Sequence, residues 1–191
     1  MIKNKKIIFI DTEFTGEKQN TTLISIGIVT LDKKKLYITL SDYDKSQVTP
    51  WVKKNVLSKI DEKNSIKSKE AYKKINNFLK KYSDGQKICV VSYGLMQDIM
   101  LFYELYKFKD GTNKKKFHYL KNLPKYLKTG NCVDLSTLFQ VVGYKSNLSR
   151  TKFVGVNNKD RHSAIFDAEV ARLCFLKLIK KKIFKNFISN I

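Results

Sequence analysis

Two acids one residue apart, Asp11 and Glu13, close an apolar run in "IIFIDTEFTG". Side chains on a strand alternate between faces, so these two carboxylates point one way and Thr12 the other. Like charges at the end of a buried strand repel and are partly desolvated, so a shared proton, basic side chains or cations must compensate. The plain alternative is a strand that has simply reached solvent, and D-x-E alone does not decide between them. Asp98 stands just inside a helix that follows a second buried strand, where on its own it reads as a cap. Asp167 lies between Phe166 and Ala168 in "RHSAIFDAEVARLCF". Ala164, Ala168, Ala171 and Phe175 are spaced there to pack on a sheet. That spacing puts Asp167 near the buried boundary and leaves Glu169 as the solvated acid of the segment.

The elements that must hold these residues are legible from periodicity. Residues 5–14, 22–30 and 34–41 read as three sequential antiparallel strands, β-branched and apolar with polar turns between them. Thr49 and Pro50 make a helix start, cap followed by proline. Residues 65–81 carry an apolar stripe of Ile66, Ala71, Ile75, Phe78 and Leu79 with lysines opposite. "KICVVSYG" (87–94) reads as a buried central strand, followed by a helix from Gln97. The basic run within 107–121 reads as a solvated loop. "NCVDLSTLFQVVG" reads as a short extended segment entering a helix that ends at Gly143. Residues 144–161 show little periodicity, and a last long helix is expected from His162 to about Lys181. The order predicts one mixed α/β domain over residues 1–191.

Composition sets outer bounds. The chain has 191 residues, enough for one domain with a core. Its net charge of +21 fits a polyanionic partner such as nucleic acid, but a chain with only three arginines among 38 basic residues also carries the mark of codon bias. The three cysteines, Cys89, Cys132 and Cys174, are widely spaced among apolar neighbours and read as reduced core residues of a cytoplasmic protein. No segment reads as a leader or as a membrane span.

"IDTEFTG", an Asp at the start of a helix after a buried strand, and "HSAIFDA", in that order, resemble the DEDD superfamily of 3′–5′ exonucleases. That group includes the DnaQ-like proofreading exonucleases, RNase T and oligoribonuclease. His162, five residues before Asp167, matches the histidine (DEDDh) subclass; the tyrosine subclass would place Tyr where Ser163 stands. "DTEFTG" with "LISIGIVT", "LYITLS", "WVKKNVL", "LPKYL" and "CVDLSTLF" is similar, over most of the chain, to the RNase AS type of 3′–5′ exoribonuclease, which acts on adenylate-containing RNA. The resemblance implies an RNase H-like fold, with a mixed central sheet flanked by helices. It also implies two divalent metal ions, stepwise release of 5′-mononucleotides and a homodimer. The loop from Tyr144 to Arg161 offers no motif to match.

The residues suit that chemistry in their own right. Asp11, Glu13, Asp98 and Asp167, all ionised, would form a pocket of four negative charges with no evident buried Arg or Lys to offset them. Such a pocket repels a phosphate unless cations fill it. Two Mg²⁺ or Mn²⁺ ions about 3.5–4 Å apart would neutralise it and clamp a scissile phosphate. Oxygen ligands without His or Cys clusters favour these metals over zinc. His162, neutral near physiological pH, is the expected general base, whereas His118 reads as a surface residue. Thr12, Phe14, Thr15 and Tyr93 are the expected substrate contacts. Phe14 either stacks on the last bases or fills the core, and Trp51 reads as a packing anchor. The expected partner is single-stranded nucleic acid, RNA over DNA. The competing readings are a DNA proofreading exonuclease, an inactive nuclease-derived binding module, and a basic scaffold held to RNA by charge alone.

Overall fold

Alternating β-branched residues and short polar turns produce a meander in the computed structural model, which describes residues 2–94, 96–109, 118–145, 147–184 and 186–187. The meander comprises β1 (Lys6–Phe14), β2 (Leu23–Thr30) and β3 (Lys35–Thr39). Then come α1 (Pro50–Asn55), α2 (Ser68–Ser83), β4 (Ile88–Ser92), α3 (Met96–Glu104) and α4 (Tyr119–Asn122). The remaining elements are β5 (Cys132–Asp134), α5 (Leu135–Val141), α6 (Arg150–Val154) and α7 (Ala164–Leu178). The five strands form one sheet in the order β3-β2-β1-β4-β5. β1 runs antiparallel to β2 and parallel to β4, and β4 runs parallel to β5. This is the mixed sheet that the sequence predicts.

The sheet buries both faces, which explains why β1 and β4 are near-continuous apolar runs. On one face Ile8, Ile10, Ile26 and Ile28 pack with Ile75 and Leu79 of α2 and Phe102 of α3. On the other, Ile7, Phe9, Cys89 and Val91 meet Phe139 of α5 and Ala171, Cys174 and Phe175 of α7. α1 starts as its sequence dictates: Thr49 Oγ1 accepts the Val52 N–H at 3.2 Å, and Pro50 occupies the first turn. Val52 and Val56 then dock on Ile24. The three cysteines are free, with Cys89 and Cys174 buried. Among the described residues no helix is long and apolar enough to cross a membrane.

Three expectations need correction. The segment 144–161 is not featureless: Ser149 accepts the Lys152 N–H and starts the five-residue helix α6, too short to show a 3.6-residue period. The last helix begins at Ala164 rather than His162, because His162 adopts a left-handed φ of 65° that no α-helix accommodates. It ends at Leu178, ahead of the lysine run. Glu169 is not a free solvated acid; it grips the buried Arg172 through hydrogen bonds of 2.8–3.2 Å. Of the expected basic loop, residues 110–117 lie outside the described residues.

One glycine sets the distance between α7 and the sheet. Gly27 of β2 is the cross-strand partner of Asp11, and a Cβ built on it would lie 2.3 Å from the Ala164 carbonyl carbon and oxygen. Only a bare backbone lets the first turn of α7 rest there. Gly27→Ala should therefore lower the unfolding free energy by about 1–3 kcal/mol through overpacking. Gly130→Ala, at a site with nothing within 4 Å, should leave it nearly unchanged. Urea denaturation of the two variants checks this.

Candidate active site

β1 extends past its parallel neighbour: its last partner on β4 is Val91, opposite Phe9. Ile10 to Phe14 therefore continue along β2 alone, and their β4 side opens into a crevice at the carboxyl ends of the parallel strands, where such sheets bind ligands. Asp11 and Glu13 pair with Gly27 and Ser25, on the face that α7 covers. The first turn of α7, seated on Gly27, brings Asp167 to them. One carboxylate oxygen from each of Asp11, Glu13 and Asp167 lies within 4.8 Å of the other two. A register shift between Glu13 and Phe14 ends the regular ladder here, as bulges beside functional sites do.

Asp98 arrives from the opposite face of the sheet, on the first turn of α3. Its Oδ1 accepts the Thr12 backbone N–H at 3.0 Å and the Thr12 hydroxyl at 2.5 Å. Asp98 is thus not a simple cap of its own helix; it closes the open edge of β1. Thr12 is buried and its hydroxyl is committed to Asp98, which makes it a positioning residue rather than the expected substrate contact.

The electrostatics follow from this crowding. Burial, then the charges of Asp98, Asp167 and Glu13, push the Asp11 carboxyl well above its ordinary range. Burial, with Asp167 and Asp98 adding, raises Glu13 to about 7. Burial also raises Asp98 to about 6, against the opposing effect of its Thr12 hydrogen bonds. The cluster therefore favours bound protons, and a divalent cation would supply the same compensation. An all-oxygen, partly desolvated donor set suits Mg²⁺ or Mn²⁺.

His162 is fastened to this cluster through its backbone: its N–H donates to Asp167 Oδ2 at 2.9 Å. That bond holds the residue in its left-handed conformation, which costs on the order of 1 kcal/mol for a non-glycine residue. Burial, then Arg161, keeps the imidazole below its ordinary pKa, so it is neutral at physiological pH. The ring meets Trp51 edge-on, with centroids 5.0 Å apart. Trp51 is 53% exposed and so is no packing anchor. With Glu13, Phe14, Thr49 and Val56 it lines a cavity of about 500 Å³. Phe14 packs on the core, as one of its two expected roles requires, and it also lines that cavity.

The other expected contacts are placed differently. Thr15 is fully buried, and its hydroxyl donates to Gln47 Oε1 at 2.8 Å and accepts the Thr22 N–H at 3.0 Å. It secures the turn after β1, and its hydroxyl is committed to that turn. Tyr93 lies under Arg150, whose guanidinium carbon is 4.3 Å from the ring centroid. Arg150 is the residue that sequence reasoning missed. Its Nη2 is 3.6 Å from Asp167 Oδ1, so the acidic pocket does hold a cation. Being one of three arginines in a lysine-dominated chain was the available signal.

Because Glu13 and Asp98 titrate upward on folding, the stability that their protonated forms contribute is complete below about pH 4 and is lost as pH rises through about 7. In the presence of a chelator, Asp11→Asn should melt at a higher temperature than the parent at about pH 8. The difference should shrink at about pH 5, where protons already relieve the repulsion. Calorimetry of the two proteins at both pH values reads this directly.

Comparison with known proteins agrees with the geometry. The "3′-5′ exoribonuclease Rv2179c" of Mycobacterium tuberculosis is 36% identical over 52 residues, which are 27% of this chain and 31% of that protein. Two solved structures share the RNase H-like fold. One shows 3′-end-specific recognition of the histone mRNA stem-loop by a 3′-exonuclease (TM-score 0.65, 15% identity, 92% of this chain and 64% of that one). The other is the cell-death related nuclease CRN-4 (TM-score 0.63, 13% identity, 92% and 64%). The chain spans less than two thirds of the length of each of these relatives. A family model extends the likeness over nearly the whole chain, from residue 6 to residue 178, and the protein belongs to that family, the Rv2179c-like 3′-5′ exoribonuclease domain.

Proposed function

We propose that the protein is a metal-dependent 3′–5′ exoribonuclease of the histidine (DEDDh) subclass. It removes 5′-mononucleotides one at a time from the 3′ end of single-stranded RNA, adenylate-rich RNA included. The observation that carries this reading is the meeting of Asp11, Glu13 and Asp167 within 4.8 Å, with His162 tied to Asp167 beside them. A binding module that had lost catalysis would lack a member of this set, and a scaffold acting by charge alone would not need the set.

Asp11, Glu13 and Asp167, with Asp98 behind them, would hold two divalent ions, which supply charge compensation at the scissile phosphate and at the departing 3′ oxygen. The protein's own share is orientation and proton transfer. β1 and the seated first turn of α7 fix the carboxylates, and Thr12 fixes Asp98. His162, neutral and tethered through its main chain with its ring at the rim, takes the proton from the attacking water. The cavity between Phe14 and Trp51 adjoins Glu13, and its aromatic lining suits the terminal nucleoside, whose base has a flat face for aromatic contact. By the same family resemblance the protein would work as a homodimer, which sedimentation analysis checks.

Mass analysis of products from poly(A), poly(U) and a DNA oligomer in Mg²⁺ tests the reading. It expects nucleoside 5′-monophosphates from RNA, none after chelation and none with Asp11→Asn; a clear preference for DNA would overturn it. His162→Ala should fold and bind Mn²⁺ like the parent but lose at least about 100-fold in turnover. Near-parental turnover would remove His162 as the base.

A further inference from the structure

Two arginines of the α6–α7 region, one buried and one half-buried, are treated very differently. Arg172 is 3% exposed and fully engaged: Nε and Nη2 reach both oxygens of Glu169 at 2.8–3.2 Å. Arg150, whose side chain is 20% exposed, has no such match. Its Nη2 stops 3.6 Å from Asp167 Oδ1, beyond hydrogen-bond reach, and its Nη1 is buried with no partner. A buried donor left unsatisfied is destabilising, so an arginine needed only as a counterion would close that gap. Instead the guanidinium carbon sits over the Tyr93 ring, 4.3 Å from its centroid. Its charge also reaches Asp11, Glu13 and Asp98, opposing part of the rise that burial causes in each.

The missing partner must be an oxyanion that can enter a crevice walled by carboxylates and offer two acceptor oxygens to a planar fork. A phosphodiester has that chemistry. We propose that Arg150 is a substrate-binding residue, whose guanidinium turns out from beside Asp167 to take the two non-bridging phosphate oxygens of the nucleic-acid strand through Nη1 and Nη2. The inference rests on the exoribonuclease reading and adds to it the contact that admits a polyanion to an acidic site. Asp167 then serves as the resting place of the fork, and Tyr93 as its platform.

The test measures binding of a fluorescent single-stranded RNA, protected at its 3′ end by phosphorothioate linkages, in Ca²⁺ over a series of salt concentrations. Arg150→Met should weaken binding about 10-fold or more and reduce the slope of log affinity against log salt by about 0.7, the value of one phosphate contact on a single strand. Arg150→Lys retains a cation for Asp167, which protects folding should the Met variant fail. It should keep the slope yet still lose affinity, because an ammonium lacks the fork. Melting temperature and Mn²⁺ affinity are followed in parallel. Arg150 is only a counterion of Asp167 if both variants bind RNA like the parent. It is likewise only a counterion if affinity falls solely in step with melting temperature or Mn²⁺ affinity while the slope stays fixed. A parent that neither binds nor hydrolyses RNA would instead defeat the exoribonuclease reading itself, and this inference with it.

Discussion

Mutual repulsion among Asp11, Glu13, Asp98 and Asp167 is the constraint around which the rest of the structure is arranged. No fold gathers four carboxylates at one end of a buried sheet for stability, since each added charge raises the pKa of its neighbours. The chain holds them together by giving each a separate rigid support: one strand for two, a helix on each face for the others. The apolar packing beneath, from Ile7 to Ile10 outward to α2 and α7, supplies the stability that this gathering consumes. Stability and chemistry are thus opposed within one strand, divided at Ile10.

The unequal lengths of β1 and β4 decide how the carboxylates approach one another. Where β4 ends, the far edge of β1 loses its ladder, and Asp98 takes over the Thr12 N–H that a neighbouring strand would otherwise bond. A carboxylate from the α3 face can then reach a site that the α7 face builds. This also explains why Thr12, pointing away from its two acidic neighbours, still matters to them. The hydrogen bonds on Asp98 favour its ionised form, which is the form that binds a cation.

Much of this was legible in the sequence, for identifiable reasons. A β-branched apolar run bounded by polar residues located β1 to within a residue, and the placing of Asp11 and Glu13 on one face followed from strand geometry. Asp167 was readable because alanines at helical spacing marked the face that docks. Asp98 alone looked like a cap; only the order of the three acidic blocks gave it a role, since its partner Thr12 is 86 residues away. Arg150 was invisible because α6 is a single short helix and the residue's meaning lies in Tyr93 and Asp167, both distant in sequence. Trp51 was misjudged from composition: an aromatic beside valines reads as core, yet α1 turns those valines inward and leaves the indole against His162. Thr15 shows the converse, a polar residue beside the acids whose hydroxyl is absorbed by Gln47 and Thr22.

The seating of α7 on Gly27 has a consequence for how the molecule would respond to heat. The surface that docks the helix and the surface that completes the acidic cluster are the same first turn, Ala164 to Asp167. Helix docking and cation capture are therefore one thermodynamic equilibrium seen from two sides, so each favours the other by the same free energy. Partial undocking of α7 would release Asp167, and the main-chain tether of His162 with it, while the remaining strands stayed paired. With divalent ions held as proposed, their affinity would serve as an internal gauge of how firmly the last helix is seated.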